Sequence, residues 1–229
     1  MGTHNGVQQG RMTEPEGRGG QPARPRGRRQ SGEVSGRDAL LRAALGCFAR
    51  YGYDGTSLRT LADRAGVDMA LVARLFGSKA DLWEAVVDHL AARQAEGRAE
   101  LAALAALAER EPAEALRRFI RFFAQASFDG REVPSFIMQE SGHPNARLDI
   151  LVERLLEPFR QACAPIIDAA VDAGVVKAIH PDLFTRMMFC SISLPMVPSA
   201  LAPEGGQVTP AMRDAIAEQA IALFVGAAG

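Results

Sequence analysis

TSLRTLADRAGVDMALVARLFGSK, residues Thr56 to Lys79, is the stretch on which the fold turns. Two short helical segments flank Ala65-Gly66-Val67. Thr56 or Ser57 can cap the first, Leu58 to Ala65, because a hydroxyl there accepts from a free first-turn amide. Gly66 breaks that segment and supplies the positive φ of a tight turn. Asp68 can cap the second, Met69 to Phe76. Small Ala62 lets the two helices approach, while Leu61, Val67, Val72 and Leu75 fill the wedge between them. This is the packing logic of a helix-turn-helix, whose second helix enters a DNA major groove. A helical hairpin inside an ordinary core is the competing reading of these residues alone.

Working outward, Leu40, Leu41, Ala44, Leu45 and Phe48 share one helical face, so a helix runs from Arg37 to about Tyr51-Gly52. A long helix is expected from Lys79 toward Leu107, and another from Pro112 through Phe128. A shorter one covers Val133 to Ser141. Asn145 to about Ala173 reads as a long helix that Pro158 and Pro165 kink or interrupt. Pro181 to about Met196 and Ala211 to Val225 complete the set, separated by a Pro/Gly-rich loop. No segment alternates with period two, so the expected fold is all-α. Three parts are expected: a disordered basic arm at 1–35, a helix-turn-helix domain at 36–82, and a helical effector-binding and dimerisation domain at 83–229. The arm has almost no large apolar residue and cannot offset the entropy of ordering.

The net charge of −1 hides a segregated distribution. Residues 1–36 carry six arginines against three glutamates. Residues 37–80 carry seven basic side chains against four acidic ones, so the remainder is strongly acidic. One surface therefore suits phosphate and another suits something else. Three scattered cysteines without a CxxC pair fit a reducing cytoplasm. No charge-free run of about 18 apolar residues argues for a membrane span. No His or Cys set has metal-ligand spacing, and no catalytic residue or cofactor is expected, since nucleophile elbow, phosphate loop and paired catalytic carboxylates are all missing.

The run ALLRAALGCFARYGYDGTSLRTLADRAGVDMALVARLFGSKADLWEAV resembles the TetR family of transcriptional regulators. The resemblance rests on FARYGYDGTS at the end of the first helix, ADRAGV in the turn, and FGSK opening the fourth helix. It implies an N-terminal three-helix DNA-binding domain followed by a helical domain that binds a ligand and dimerises. The implied function is a ligand-responsive regulator, a repressor, which binds a palindromic double-stranded DNA operator as a homodimer and is released by a small effector. A sequence-tolerant, architectural DNA-binding protein is the alternative.

Each candidate DNA contact has its own chemistry. Thr56 and Ser57 sit at a helix N-terminus suited to a phosphate oxygen, and Lys79 can reach the backbone across the groove. Arg59 is placed for phosphate or a base edge. Asp68, Met69, Ala70, Ala73 and Arg74 form the outer side of the recognition helix, with Arg74 its only long donor and a match for guanine O6 and N7. The family often carries Tyr at the position of Ala73 and His at that of Leu75; this chain has neither, so hydrogen-bonded readout is sparse and thymine-methyl contacts gain weight. RPRGRR, Arg24 to Arg29, resembles an AT-hook core, and Arg26, Arg28 and Arg29 suit a narrow A·T minor groove. A plain solubilising tail is the other reading.

In the second domain, Leu183, Met187, Cys190 and Leu194 recur along one helix and Ile216, Ala220, Leu223 and Phe224 along the last. The resemblance implies a four-helix bundle made by these helices from two subunits. Phe122, Phe123, Phe136, Phe159, Met187 and Met188 are expected to line an adaptable apolar pocket, with Gln139 and His143 as polar anchors and Gln125, Glu140, Ser191 and Ser193 nearby.

Overall fold

The computed structural model describes residues 29–142, 144–177, 180–197 and 208–225. Every regular element among them is helical: α1 (Arg29–Tyr51), α2 (Leu58–Ala65), α3 (Met69–Leu75), α4 (Lys79–Glu96), α5 (Arg98–Ala108), α6 (Pro112–Asp129), α7 (Glu132–Glu140), α8 (Ala146–Leu151), α9 (Glu157–Asp172), α10 (Pro181–Ser193) and α11 (Pro210–Phe224).

The three-helix corner is built as its sequence dictates. Ser57 Oγ accepts from Thr60 N at 3.1 Å and opens α2. Gly66, at φ 67°, takes the left-handed position that closes it, and Val67 N returns to Ala62 O at 3.1 Å. Asp68 caps α3 through Leu71 N at 2.6 Å. Ser78 and Asp81 form a reciprocal capping box at the head of α4. Leu61, Ala62 and Val72 are buried between the helices.

Four boundaries differ from expectation. Helix α1 starts at Arg29, inside the segment expected to be a disordered arm. No proline interrupts residues 29–36, and adding turns to a helix already anchored by the packed Leu40-to-Phe48 face needs no new nucleus. The expected single helix from Lys79 to Leu107 is two, α4 and α5, meeting at Gly97. A Cβ at Gly97 would lie 2.9 Å from Phe122 Cζ, so the absent side chain lets α6 press against the joint. Between α8 and α9, residues Val152–Leu156 form a π-helical turn. Pro158 has no N–H to return to the carbonyl of Arg154, and the chain widens there instead of continuing as α-helix. Pro165 stays within α9 on its exposed side. The end of the expected Pro181–Met196 helix tightens into a 3-10 turn, Leu194–Met196.

Two cores result. One joins α1 to α4 and also takes in Phe136 of α7 and Leu151 and Leu155 beyond it. Its centre is aromatic: Phe136 lies 5.6 Å from Trp83 and 6.5 Å from Phe48, centroid to centroid. The other joins α5, α6, α9, α10 and α11 around Leu116, Phe119, Ile120, Ile166 and Met188. Helix α7 thus sits against the first core while following α6 of the second.

Candidate nucleic-acid interface and internal cavity

On α3, Met69, Ala70, Ala73 and Arg74 are exposed, whereas Val72 is fully buried and Leu71 and Leu75 are half-buried. The outer face expected of the recognition helix is the one the packing leaves open. Arg59 and Ser57 are also exposed, at the first turn of α2. Thr60 joins them, its hydroxyl 2.9 Å from Ser57 Oγ; an i, i+3 pair of hydroxyls was the signal for it. Arg37 reaches over the Phe76 ring at 5.6 Å and fastens α1 to the end of α3. At the other end of the corner, Arg64 Nη2 donates to Tyr51 Oη at 3.1 Å. That bond, followed by nearby Cys47, raises the Arg64 pKa and holds it charged.

Two expected phosphate donors are used within the fold. Thr56 is buried, and its hydroxyl donates to Gly52 O at 2.8 Å, which closes the α1–α2 loop. Lys79 Nζ donates to Tyr53 O at 3.0 Å and Thr56 O at 3.1 Å, and lies 4.2 Å from the Tyr53 ring centroid. The other face of that loop is held by Arg147, 4.1 Å from the same ring, which pairs with buried Glu140 at 3.0 Å. Asp68 is spent as the α3 cap. Arg26 and Arg28 lie outside the described residues, and Arg29 is the first residue of α1.

A cavity of about 580 Å³ lies where α4, α5, α6, α7, α9 and α10 meet. Phe122, Phe123 and Phe159 line it, as does Phe189. The rings of Phe123, Phe159 and Phe189 touch one another at 4.8 to 5.7 Å. Other expected lining residues are elsewhere. Phe136 is consumed by the first core because its α7 face turns toward Phe48 and Trp83. Gln139 packs against Gly52, which leaves no room for a Cβ. Met188 is buried in the second core, and Met187 points outward, 56% exposed. His143 lies outside the described residues. Of the nearby polar groups, Gln125 and Ser193 line the cavity; Glu140 is engaged by Arg147, and Ser191 donates to Met188 O. The lining residues missed by sequence have a legible pattern: Leu90, Arg93 and Gln94 on α4 with Gly97 at its end, and Arg186, Phe189 and Cys190 on α10 leading to the expected Ser193, each recur at i, i+3, i+4 and i+7.

Leu183, Met187, Cys190 and Leu194 form an exposed stripe along α10 and its 3-10 extension, of which Cys190 and Leu194 also border the cavity. On α11, Leu223 is 66% exposed, Ile216 and Phe224 are half-buried, and Ala220 is buried. No helix among the described residues is long and apolar enough to cross a membrane.

A small helix-turn-helix thus precedes a larger helical domain built around a cavity. Residues 40–86 match the model of bacterial regulatory proteins of the tetR family. The chain is 42% identical over 69 residues to the HTH-type transcriptional repressor Rv3405c of Mycobacterium tuberculosis, a match covering 30% of this chain and 37% of that one. It is 36% identical over 63 residues to the HTH-type transcriptional repressor AcnR of Corynebacterium efficiens, covering 28% and 34%. The match thus spans about a third of the length of these curated relatives. In fold the chain is similar to HlyIIR, a haemolysin II transcriptional regulator, with a TM-score of 0.63 at 18% identity over 85% of this chain and 99% of that one. It is also similar to AibR, crystallised with isovaleryl coenzyme A and operator DNA, with a TM-score of 0.62 at 17% identity over 83% and 98%.

Proposed function

We propose that this protein is a ligand-responsive, DNA-binding transcriptional regulator of the cytoplasm, a repressor that binds a palindromic operator as a homodimer. The observation that carries the reading is the open face of α3, exposed on a corner whose every cap and turn is satisfied internally. Ser57, Thr60 and Arg59 supply phosphate contacts beside it, and Arg74 the long base-reading donor. Arg26 and Arg28 of the basic N-terminal arm add minor-groove contacts.

The stripe Leu183, Met187, Cys190 and Leu194, with Leu223 of α11, is the surface proposed to pair two subunits, which sets two recognition helices about one DNA turn apart. A largely apolar molecule in the cavity favours a state with a different helix spacing and so lowers operator affinity. The cavity lies at the α4–α5 joint, and α4 begins at the Lys79 anchor of the corner. AibR, of similar fold, was crystallised with both an acyl-coenzyme A and operator DNA, which is the combination proposed here.

A second reading, a sequence-tolerant architectural binder, is favoured by one observation: three of the four exposed α3 side chains, Met69, Ala70 and Ala73, carry no hydrogen-bond donor. Protection of the upstream DNA against a scrambled control, at two salt concentrations, separates the readings. A protected palindrome with strong preference over the scramble is expected. Equal and steeply salt-dependent binding to both would move the assignment to the architectural reading.

A further inference from the structure

We infer that the cavity selects an organic anion: a molecule with an apolar body and one carboxylate, anchored by Ser127 inside and by Arg93 and Arg186. The inference rests on the effector reading above and narrows it to a ligand class.

The body of the ligand follows from the walls. Phe122, Phe123, Phe159, Phe189, Leu101 and Ile137 line a space of about 580 Å³, the size of a site that takes a drug-sized or medium-chain acyl molecule. The head follows from which polar groups are still available. Ser193 lines the cavity but donates to Phe189 O at 2.9 Å. Gln125 donates to Asp129 at 2.9 Å and accepts from Arg213, so both lining residues are engaged. Ser127 differs. It lines the cavity and is 7% exposed, yet its hydroxyl has no hydrogen-bond partner among the described residues. Ser127 lines the cavity, so its hydroxyl is a donor that a ligand oxygen can use.

Arg93 of α4 and Arg186 of α10 line the cavity from two different helices, and neither has an ion-pair or hydrogen-bond partner among the described residues. Glu96 also lines it and is likewise without a partner. The choice between an anionic and a cationic ligand is therefore a contest between two guanidinium groups and two carboxylates, Glu96 and Asp129, of which Asp129 already accepts from Gln125. A guanidinium is weakly hydrated and meets a carboxylate with two parallel bonds. Glu96 would have to bind a strongly hydrated ammonium with a single carboxylate. The two arginines prevail, and Glu96 sets the acidic side of the mouth.

The test uses the full chain and three ten-carbon probes that differ only in their heads: decanoate, decanol and decyltrimethylammonium. Each displaces a neutral fluorescent reporter, N-phenyl-1-naphthylamine, from wild type and from the variants R93Q, R186Q and S127A. Decanoate is expected to displace the reporter at about tenfold lower concentration than decanol, as one charge-assisted hydrogen bond would give. R93Q and R186Q should each shrink that ratio, whereas S127A should weaken decanoate and decanol alike. Equal displacement by all three heads, preference for the ammonium, or a ratio unchanged in both arginine variants would overturn the inference. Operator affinity is read alongside. Decanoate that binds without altering DNA binding would refute the effector role and leave the ligand class standing. Release of DNA by all three heads equally would do the reverse.

Discussion

Replacing Lys79 with Met separates two roles that this residue can play. As a phosphate donor it would matter only when DNA is bound. As placed, its ammonium donates to the carbonyls of Tyr53 and Thr56 and lies against the Tyr53 ring. It does so from the first residue of α4, where a cation opposes the helix dipole at a cost of about 0.3–1 kcal/mol. Two hydrogen bonds from a charged donor are worth about 1.5–3 kcal/mol each in favourable cases. This site is part-buried, and water can solvate the freed carbonyls, so about 1 kcal/mol for each is the sensible figure. The ring contact adds about 0.5–1 kcal/mol. Subtracting the relief at the helix terminus leaves a net loss of about 2 kcal/mol for Lys79→Met. For a chain of this size each kcal/mol shifts Tm by about 2–4 °C, so a fall of about 4–8 °C is expected. The companion assay is the dependence of operator affinity on salt. A lost phosphate contact lowers the slope of log K against log salt by about 0.9. The expected result is a lower Tm with an unchanged slope. An unchanged Tm with a slope reduced by about one would refute the anchoring role and restore Lys79 to the interface.

Phe136→Ala should cost about 3–5 kcal/mol in urea unfolding, because the ring is fully buried between Phe48 and Trp83 and its loss leaves a cavity in the corner's own core; a loss below about 1 kcal/mol would mean that the core collapses to fill the space. In native protein at pH 8, Cys190 should react with a thiol reagent first, being exposed, while burial pushes the Cys163 thiol up to about 12 and keeps it inert until unfolding. If α10 pairs two subunits, the Cys190 rate should also fall as protein concentration rises, and a concentration-independent rate would argue against that surface. Arg160 first, and Gln161 after it, lower the Glu157 carboxyl from 4.5 to about 2. Its contribution to stability is therefore complete above pH 4.5 and lost as pH falls from there through 2. Glu157→Gln should flatten melting temperature across that window by lowering it slightly above pH 4.5 and leaving it unchanged near pH 2, the loss being small because solvent screens the pair.

The corner was legible from sequence because its signals are local. A hydroxyl or carboxylate at a cap, a glycine at positive φ and an apolar face each act within about one turn of chain. Ser57, Gly66, Asp68 and Val72 accordingly stand where their residue types put them. The same locality determined that α3 would present Met69, Ala70, Ala73 and Arg74 outward. What the sequence could not decide was the use of a group whose partner lies far along the chain. Lys79 and Thr56 carry the right chemistry for phosphate, yet Lys79 is committed 23 and 26 residues away, to the backbone of the α1–α2 loop. Phe136 and Met188 are as suited to a pocket as Phe122 or Phe159. Only the packing of α7 on α1 and α4, and of α10 on α6, assigns the first pair to core and the second to cavity wall. Burial of an apolar side chain is non-directional and roughly proportional to area, so composition can count such residues but cannot say which neighbour covers each one. That choice belongs to the tertiary structure.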